Sequence, residues 1–345
     1  MKRLSKLEYQ MKQRQKEDIL NEEVDFGCGV ISTGSTLLDL AISGGVVEGG
    51  GLPAGILVEI FGPESSGKTV ILSEIAGNIQ RSGGQVMFFD PEARLNVQFA
   101  MLFGLKIEEG IYKQPDTVPE VFQFVREWVP DNDKVINGIM TDSLAALSTE
   151  LEMENDEGDK MGTRRAKEFS EQLRKTCRLL KSKKYLMVCS NQIRQNIDAG
   201  PWGQKYVAPG GNSIGFYSSV RLRTKIIEKI KQTKEVYNVK VNRVVGVEIE
   251  VEVVKNSVWK PYRVAPLTII FDYGIDDTRQ NLQFLKTYSS GNTYVVNGKN
   301  LGNSLEKAIF KVEEEGLQKE LKSEVIKVWN EIENQFGSKR LKKFN

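Results

Sequence analysis

Eight consecutive residues carry the strongest chemical signal: Gly62-Pro63-Glu64-Ser65-Ser66-Gly67-Lys68-Thr69. The apolar run Ile56-Leu57-Val58-Glu59-Ile60-Phe61 precedes them and reads as a buried strand. Behind them Ile71, Ile75 and Ile79 recur every fourth residue, as on one helix face. Strand, glycine-rich turn and helix is the setting that the pattern G-x-x-x-x-G-K-[ST] requires. The glycines let successive amides converge on phosphate oxygens, and the helix N-terminus at Val70 adds partial positive charge. Lys68 would reach the outer phosphates of a nucleotide, and the Thr69 hydroxyl would ligate magnesium. Taken alone, the stretch establishes a nucleotide-phosphate site and no more.

Three further polar residues each stand just after a predicted strand: Glu92 after 85–90, Asp142 after 135–140, and Gln192 after 185–189. Open parallel sheets bind ligands beyond the carboxyl ends of their strands, so all three are expected beside the phosphate loop. Asp142 suits an acid that orients Thr69 and a magnesium-bound water. Glu92 suits a carboxylate that positions or deprotonates the attacking water. Gln192, neutral and able to donate, suits a sensor of the γ-phosphate.

The elements that must hold these groups follow from hydrophobic pattern. Strands alternate with helices up to about residue 190, and antiparallel strands follow at 220–227, 244–255 and 262–271. That order implies an α/β fold with a mostly parallel central sheet and an antiparallel edge. Ser35 is an N-cap candidate for a short helix at 36–42, and Thr117-Val118-Pro119-Glu120 reads as a capping box. Phe169, Leu173, Cys177 and Leu180 set one helix across a basic block. Residues 195–212, rich in Gly, Pro, Gln and Asn, form a long loop of the kind that carries function. Residues 4–23 make a helix with too thin an apolar stripe to stand alone, so it docks on its own domain or on a neighbouring subunit. A small α+β C-terminal domain is expected, with a strand and turn at 294–298, helices at 303–315 and 317–335, and a basic tail at 339–343. The expected division is 1–30 as N-terminal helix and linker, 31–275 as core, and 276–345 as the small domain.

Composition bounds the chemistry. The 345 residues are 40% hydrophobic and 27% charged, as in soluble globular proteins. No run of eighteen apolar residues occurs, and Met1 to Lys6 lacks a signal core, so a cytoplasmic protein without membrane association is expected. Cys28, Cys177 and Cys189 have no metal-ligand spacing. Histidine is absent, which excludes histidine triads and leaves acid–base work to carboxylates and lysines. Net charge is only +2, yet residues 163–184 hold nine Lys/Arg against two Glu, and 221–243 hold eight against two. One such block is usually a solvated face; two in a near-neutral chain favour a polyanion-binding surface.

With these residues in view, the chain resembles the RecA recombinase family of bacteria and their phages. The resemblance is carried by Ile31-Ser32-Thr33-Gly34-Ser35, the phosphate loop with its Pro-Glu-Ser-Ser interior, Asp90-Pro91-Glu92, Thr141-Asp142-Ser143, Asn191-Gln192-Ile193-Arg194, Gly210-Gly211-Asn212, Ser219-Val220-Arg221-Leu222 and Val253-Val254-Lys255-Asn256. It implies a RecA-type P-loop ATPase core that binds ATP and Mg2+ and forms a homo-oligomeric helical filament on single-stranded DNA. It also implies pairing with homologous duplex DNA and strand exchange, helped by a loading mediator or single-strand-binding protein. Glu92 takes the place of the water-activating glutamate. Phe99 takes that of an aromatic that stacks on adenine, while Asn96 stands where relatives often carry aspartate. Lys255 matches a lysine that reaches the ATP of the adjacent subunit. On the DNA side, 152–162 resembles a first loop that retains Met161 and Gly162. Residues 194–212 resemble a second loop, with Arg194, Gly210, Gly211 and Asn212, and with Ile197 as a wedge between base triplets. Ser170 and Arg174 match phosphate contacts.

Two features depart from that pattern. Glu250 and Glu252 stand where relatives are basic, while the segment 225–243 is longer and lysine-rich, which suggests that this hairpin takes over binding of the incoming duplex. The tail at 339–343 is basic where many relatives end in acid. A regulatory RecA-fold assembly, or a ring-shaped helicase or motor without strand exchange, is the alternative reading. A phage or other mobile-element origin fits both departures.

Overall fold

The computed structural model describes residues 29–44, 49–107, 111–149, 161–195, 206–207, 213–289 and 291–337. In chain order the elements are β1 (Val30–Ile31), α1 (Thr36–Ser43), β2 (Leu52–Pro53), β3 (Leu57–Gly62), α2 (Lys68–Arg81), β4 (Val86–Phe89), α3 (Val97–Leu102), β5 (Tyr112–Lys113), α4 (Val118–Glu127), β6 (Asn137–Thr141), α5 (Met161–Lys183), β7 (Tyr185–Gln192), β8 (Arg194–Gln195), β9 (Tyr206–Val207), α6 (Ser213–Tyr217), β10 (Val220–Val236), β11 (Val239–Asn256), β12 (Val264–Ile270), β13 (Gly274–Ile275), α7 (Asp277–Thr287), β14 (Tyr294–Val296), β15 (Lys299–Gly302), α8 (Leu305–Glu314) and α9 (Gln318–Gln335). Nine strands share one sheet in the order β13-β12-β11-β10-β3-β7-β6-β4-β5. From β10 to β5 the pairs are parallel, and from β10 to β13 they are antiparallel. This is the α/β sheet with an antiparallel edge that the pattern implied.

The central strands are apolar on both faces because both faces are covered. One face packs Val58, Ile60, Phe88 and Val188 against α1 and α2. The other packs Leu57, Phe89, Ile139 and Met187 against α4 and α5. Helix starts follow local hydrogen bonding. The Ser35 hydroxyl accepts from the Leu38 amide, and the Thr117 hydroxyl accepts from the Glu120 amide. The expected capping box is completed differently. The Glu120 carboxylate accepts from the amide of Asp116, one residue before the cap.

Three elements differ from the sequence reading. Strands β10 and β11 run 17 and 18 residues, well beyond the expected 220–227 and 244–255, and meet at Tyr237-Asn238. Both turn residues have left-handed φ, 51° and 61°, as a tight type I′ hairpin turn requires. Helix α7 was not expected at all. Its inward face is Thr278, Gln280 and Asn281 with Leu282, too polar to register as an apolar stripe. Asp276 caps it by accepting from the Arg279 amide.

Beyond α7 a small apolar cluster joins Leu282, Tyr294, Val296, Leu301, Ala308, Val312 and Leu321. Helix α9 belongs also to the main core through Val325, Ile326 and Trp329. Its Glu333 receives Arg263 at 2.6 Å and Lys260 at 3.1 Å. The expected N-terminal helix at 4–23 and basic tail at 339–343 lie outside the described residues.

Candidate functional site

The turn between β3 and α2 is closed by fixed contacts. A Cβ at Gly62 would lie 2.0 Å from the Thr224 hydroxyl, and one at Gly67 would lie 2.4 Å from Ile269 Cδ1. Gly67 also has φ +83°, so both positions need glycine on local grounds. The Ser66 hydroxyl donates to Pro63 O at 2.7 Å and pairs with Thr224 Oγ1 at 2.7 Å, which ties the loop to β10. Lys68 Nζ folds onto the loop, donating to Gly62 O at 3.1 Å and Pro63 O at 2.6 Å. Burial pulls the Lys68 pKa below the usual lysine value, against the attraction of Asp142, Glu64 and Glu92. The loop thus packs its two glycines against Thr224 and Ile269 with its cation in place.

Parallel pairing of β3, β7, β6 and β4 brings the other expected groups to the same sheet edge. Thr69 Oγ1 donates to Asp142 Oδ2 at 2.5 Å, and Ser190 Oγ donates to the other carboxylate oxygen. Burial raises the Asp142 pKa, while the hydrogen bonds from Ser190 and Thr69 oppose the rise. Glu92 Oε1 accepts from Ser143 Oγ at 2.7 Å and from Gln192 Nε2 at 3.3 Å. Its Oε2 pairs with Arg94 at 2.8 Å. Asp90 anchors the turn that carries Glu92, since its Oδ2 accepts from the Leu95 amide and the Tyr112 hydroxyl, both at 2.7 Å. Burial, and then that carboxylate, push the Tyr112 pKa up to about 12. Glu64, Ser65, Lys68, Thr69, Glu92, Asp142 and Gln192 line one cleft of about 300 Å³. The residues therefore fit a triphosphate on Lys68 and the loop amides, with Thr69, and Asp142 through water, able to hold Mg2+.

A second cleft, of about 540 Å³, opens on the other side of Ser65 to Val70. Phe103, Ile226, Val244, Val247, Ile269 and Phe271 make its wall apolar, which suits a flat aromatic base. Sequence reading missed these residues because they come from the turn after α3, the β10–β11 root and the end of β12 with the residue after it. Phe99, the expected stacking aromatic, lies on α3, and its side chain is outside the described residues.

Lys255 joins neither cleft of its own chain. Its Nζ donates to Gly215 O at 3.0 Å and Phe216 O at 2.7 Å. Beneath it lies an ion pair that sequence reading did not find. Buried Glu59 receives Arg221 Nε at 2.6 Å and Asn191 Nδ2 at 3.0 Å.

The expected DNA residues divide. Ser170 and Arg174 sit one turn apart on α5, with Arg174 exposed. Met161 and Gly162, expected at the end of a loop, are the first residues of α5. Arg194 opens a two-residue ladder, β8 with β9, so the second loop is closed at its root by strand pairing. Ile197, Gly210, Gly211 and Asn212 lie outside the described residues.

The family model described as RecA N-terminal domain matches residues 4–276. The chain belongs to the RecA family. It is 35% identical over 303 residues to Protein RecA of Delftia acidovorans, covering 86% of this chain and 78% of that protein. It is 34% identical over 291 residues to Protein RecA of Bacillus thuringiensis, covering 83% and 80%. A solved structure, the crystal structure of the RadB recombinase, aligns with TM-score 0.48 and 21% identity over 71% of this chain and 98% of that one. Membership in the RecA family makes this chain a RecA-like recombinase at the level of family. Among the described residues no helix is long and apolar enough to cross a membrane.

Proposed function

We propose that this protein is an ATP-dependent homologous recombinase, a DNA-dependent ATPase that polymerises on single-stranded DNA, pairs it with homologous duplex and exchanges strands. One observation carries the reading. Gln192 touches the water-activating candidate Glu92 at 3.3 Å, and two residues later Arg194 begins the ladder that roots the long loop. Hydrolysis chemistry and the loop expected to hold DNA are joined through one side chain.

In this mechanism Glu92 takes a proton from the attacking water at its carboxylate, held in place by Ser143 and Arg94. Lys68 and the loop amides carry the growing charge on the phosphates. Asp142 keeps Thr69 oriented toward Mg2+. When ATP is bound, Gln192 exchanges Glu92 for the γ-phosphate and draws β8 with it, so nucleotide state sets the order of the loop. Lys255 closes over the ATP of the adjacent subunit, residues 1–30 pack on that neighbour, and 276–345 form the small domain. A loading mediator or single-strand-binding protein is the expected accessory partner in the cytoplasm.

Electron microscopy of the full chain with ATP and single-stranded DNA, beside ATPase and strand-exchange assays, tests the proposal. Filaments, ATPase stimulated by single-stranded DNA and exchanged product are expected. Closed rings, or ATPase indifferent to DNA, would overturn it.

A further inference from the structure

The outer part of the β10–β11 hairpin pairs with no third strand. Strand β10 pairs with β3 only through Val220 to Arg223, and β11 pairs with β12 only from Gly246 to Glu252. A register shift between Ile230 and Lys231 marks where the two strands leave the body. From Lys231 to Arg243 they form a ribbon about 20 Å long that no third strand borders. Every residue from Lys231 to Lys240 is exposed. A two-stranded hairpin in water is marginally stable by itself, so such a ribbon is built to meet a surface.

Its charge says which surface. The ribbon carries Lys231, Lys234, Lys240 and Arg243 against Glu235 alone. Partners across an antiparallel pair share a face, and faces alternate along each strand. The register Lys231 with Val244, Thr233 with Asn242, and Glu235 with Lys240 puts Lys231 and Lys240 on one face. The register Gln232 with Arg243, and Lys234 with Val241, puts Lys234 and Arg243 on the other. Each face carries two cations, with Glu235 opposite Lys240 on the first, so both faces are net positive and complement a polyanion that flanks the ribbon on both sides. A duplex groove, walled by two phosphate backbones, has that form; a single strand offers one backbone. The major groove is wide enough for a two-stranded ribbon.

The tip has different chemistry. Tyr237 is 96% exposed and lies between Val236 at 46% and Val239 at 61%. The type I′ turn holds it at the extreme end, where it would meet bases rather than phosphates. An aromatic ring there can stack on or wedge into a base step.

We propose that residues 231–243 are a duplex-DNA arm, with each face against one phosphate backbone and Tyr237 wedged into the base stack. This rests on the recombinase reading and specifies how the chain holds duplex DNA. The test uses the full chain with a labelled duplex containing 2-aminopurine and with a single strand of equal length. Replacing Lys231, Lys234, Lys240 and Arg243 together by Gln is expected to weaken duplex binding roughly tenfold or more and to lower the slope of log K against log salt by about 3–4. Single-strand binding and single-strand-stimulated ATPase should be retained, which also reports that the variant is folded. Tyr237→Ala should keep the salt slope and lose the 2-aminopurine signal, and Tyr237→Trp should restore it. Unchanged duplex affinity in the quadruple variant overturns the proposal. So does a loss confined to self-association of the protein without DNA, which would make the ribbon a clasp between copies. Failure of the wild-type chain to bind single strands or hydrolyse ATP would instead count against the recombinase reading.

Discussion

Glu92 is the residue on which the proposed hydrolysis mechanism turns, and its surroundings say what its loss would do. Its two oxygens are held by three separate donors, Ser143, Gln192 and Arg94. Glu92→Gln keeps the shape and the neighbours but removes the proton acceptor. A general base contributes about 10²–10⁴-fold, so the ATPase rate should fall by that factor while nucleotide affinity stays near wild type. Nucleotide titration beside steady-state hydrolysis checks both halves, and an equal loss of affinity would place Glu92 in binding instead. Asp39 offers a second residue-scale test. It is fully buried, accepting from the Thr33 amide and hydroxyl at 2.7 Å each and from the Ser32 hydroxyl. Burial raises its pKa from 3.8 to about 6. The folded state then binds a proton that the unfolded chain has released, so this group's contribution falls as pH rises from about 4 through about 6. Above that window the charged carboxylate costs about 3 kcal/mol, from a two-unit shift at about 1.4 kcal/mol per unit. Asp39→Asn should therefore gain about 3 kcal/mol relative to wild type between pH 4 and pH 7. Denaturant melts at the two pH values measure the gap, and a pH-independent gap would show that Asp39 does not titrate differently on folding.

At the scale of elements, the Glu59–Arg221 pair shows what linear sequence hides. It joins β3 to β10 across 162 positions, and nothing local to either residue announces the partner. Arg221→Ala would leave Glu59 buried with only Asn191 among its donors described here, a loss of about 3 kcal/mol or more. Adding Glu59→Gln to that variant should recover part of the loss, and equilibrium unfolding of the two variants measures it. The site was legible where chemistry demands a fixed local order. Gly62 to Thr69 declares its turn, and Glu92, Asp142 and Gln192 declare themselves by following apolar strands. Their hydroxyl partners Ser143 and Ser190 were not legible, because a serine after a strand has many ordinary uses. The sheet was legible because strands covered on both faces are continuously apolar. The segment 225–243 stood out as a hairpin by its lysines, but its strand lengths were not legible, since the outer ribbon has no buried face to impose alternation; α7 was not legible either, since its inward face is polar. The apolar cleft beside the phosphate loop is assembled from three distant elements, so only folding brings Phe103 and Phe271 together.

At the scale of the whole molecule, Lys255 poses the question of where the active site ends. Its ammonium rests on the carbonyls of Gly215 and Phe216 at the end of α6, while Phe216 itself is 75% exposed. Burial holds its pKa below the usual lysine value, with Arg221 adding to the effect. A cation so placed, outside both clefts of its own chain, serves hydrolysis only if a second copy brings its phosphate loop to this surface. Head-to-tail contacts of that kind are heterologous and propagate into filaments. Complementation then separates action within a chain from action between chains. Glu92→Gln and Lys255→Ala chains should each be nearly inactive. Mixed in equal amounts before DNA is added, they should recover about a quarter of the wild-type ATPase. That fraction is the share of random head-to-tail junctions pairing an intact Glu92 on one side with an intact Lys255 on the other. If Lys255 served only its own chain's site, no junction in the mixture would be complete, and the mixture would stay as inactive as its components.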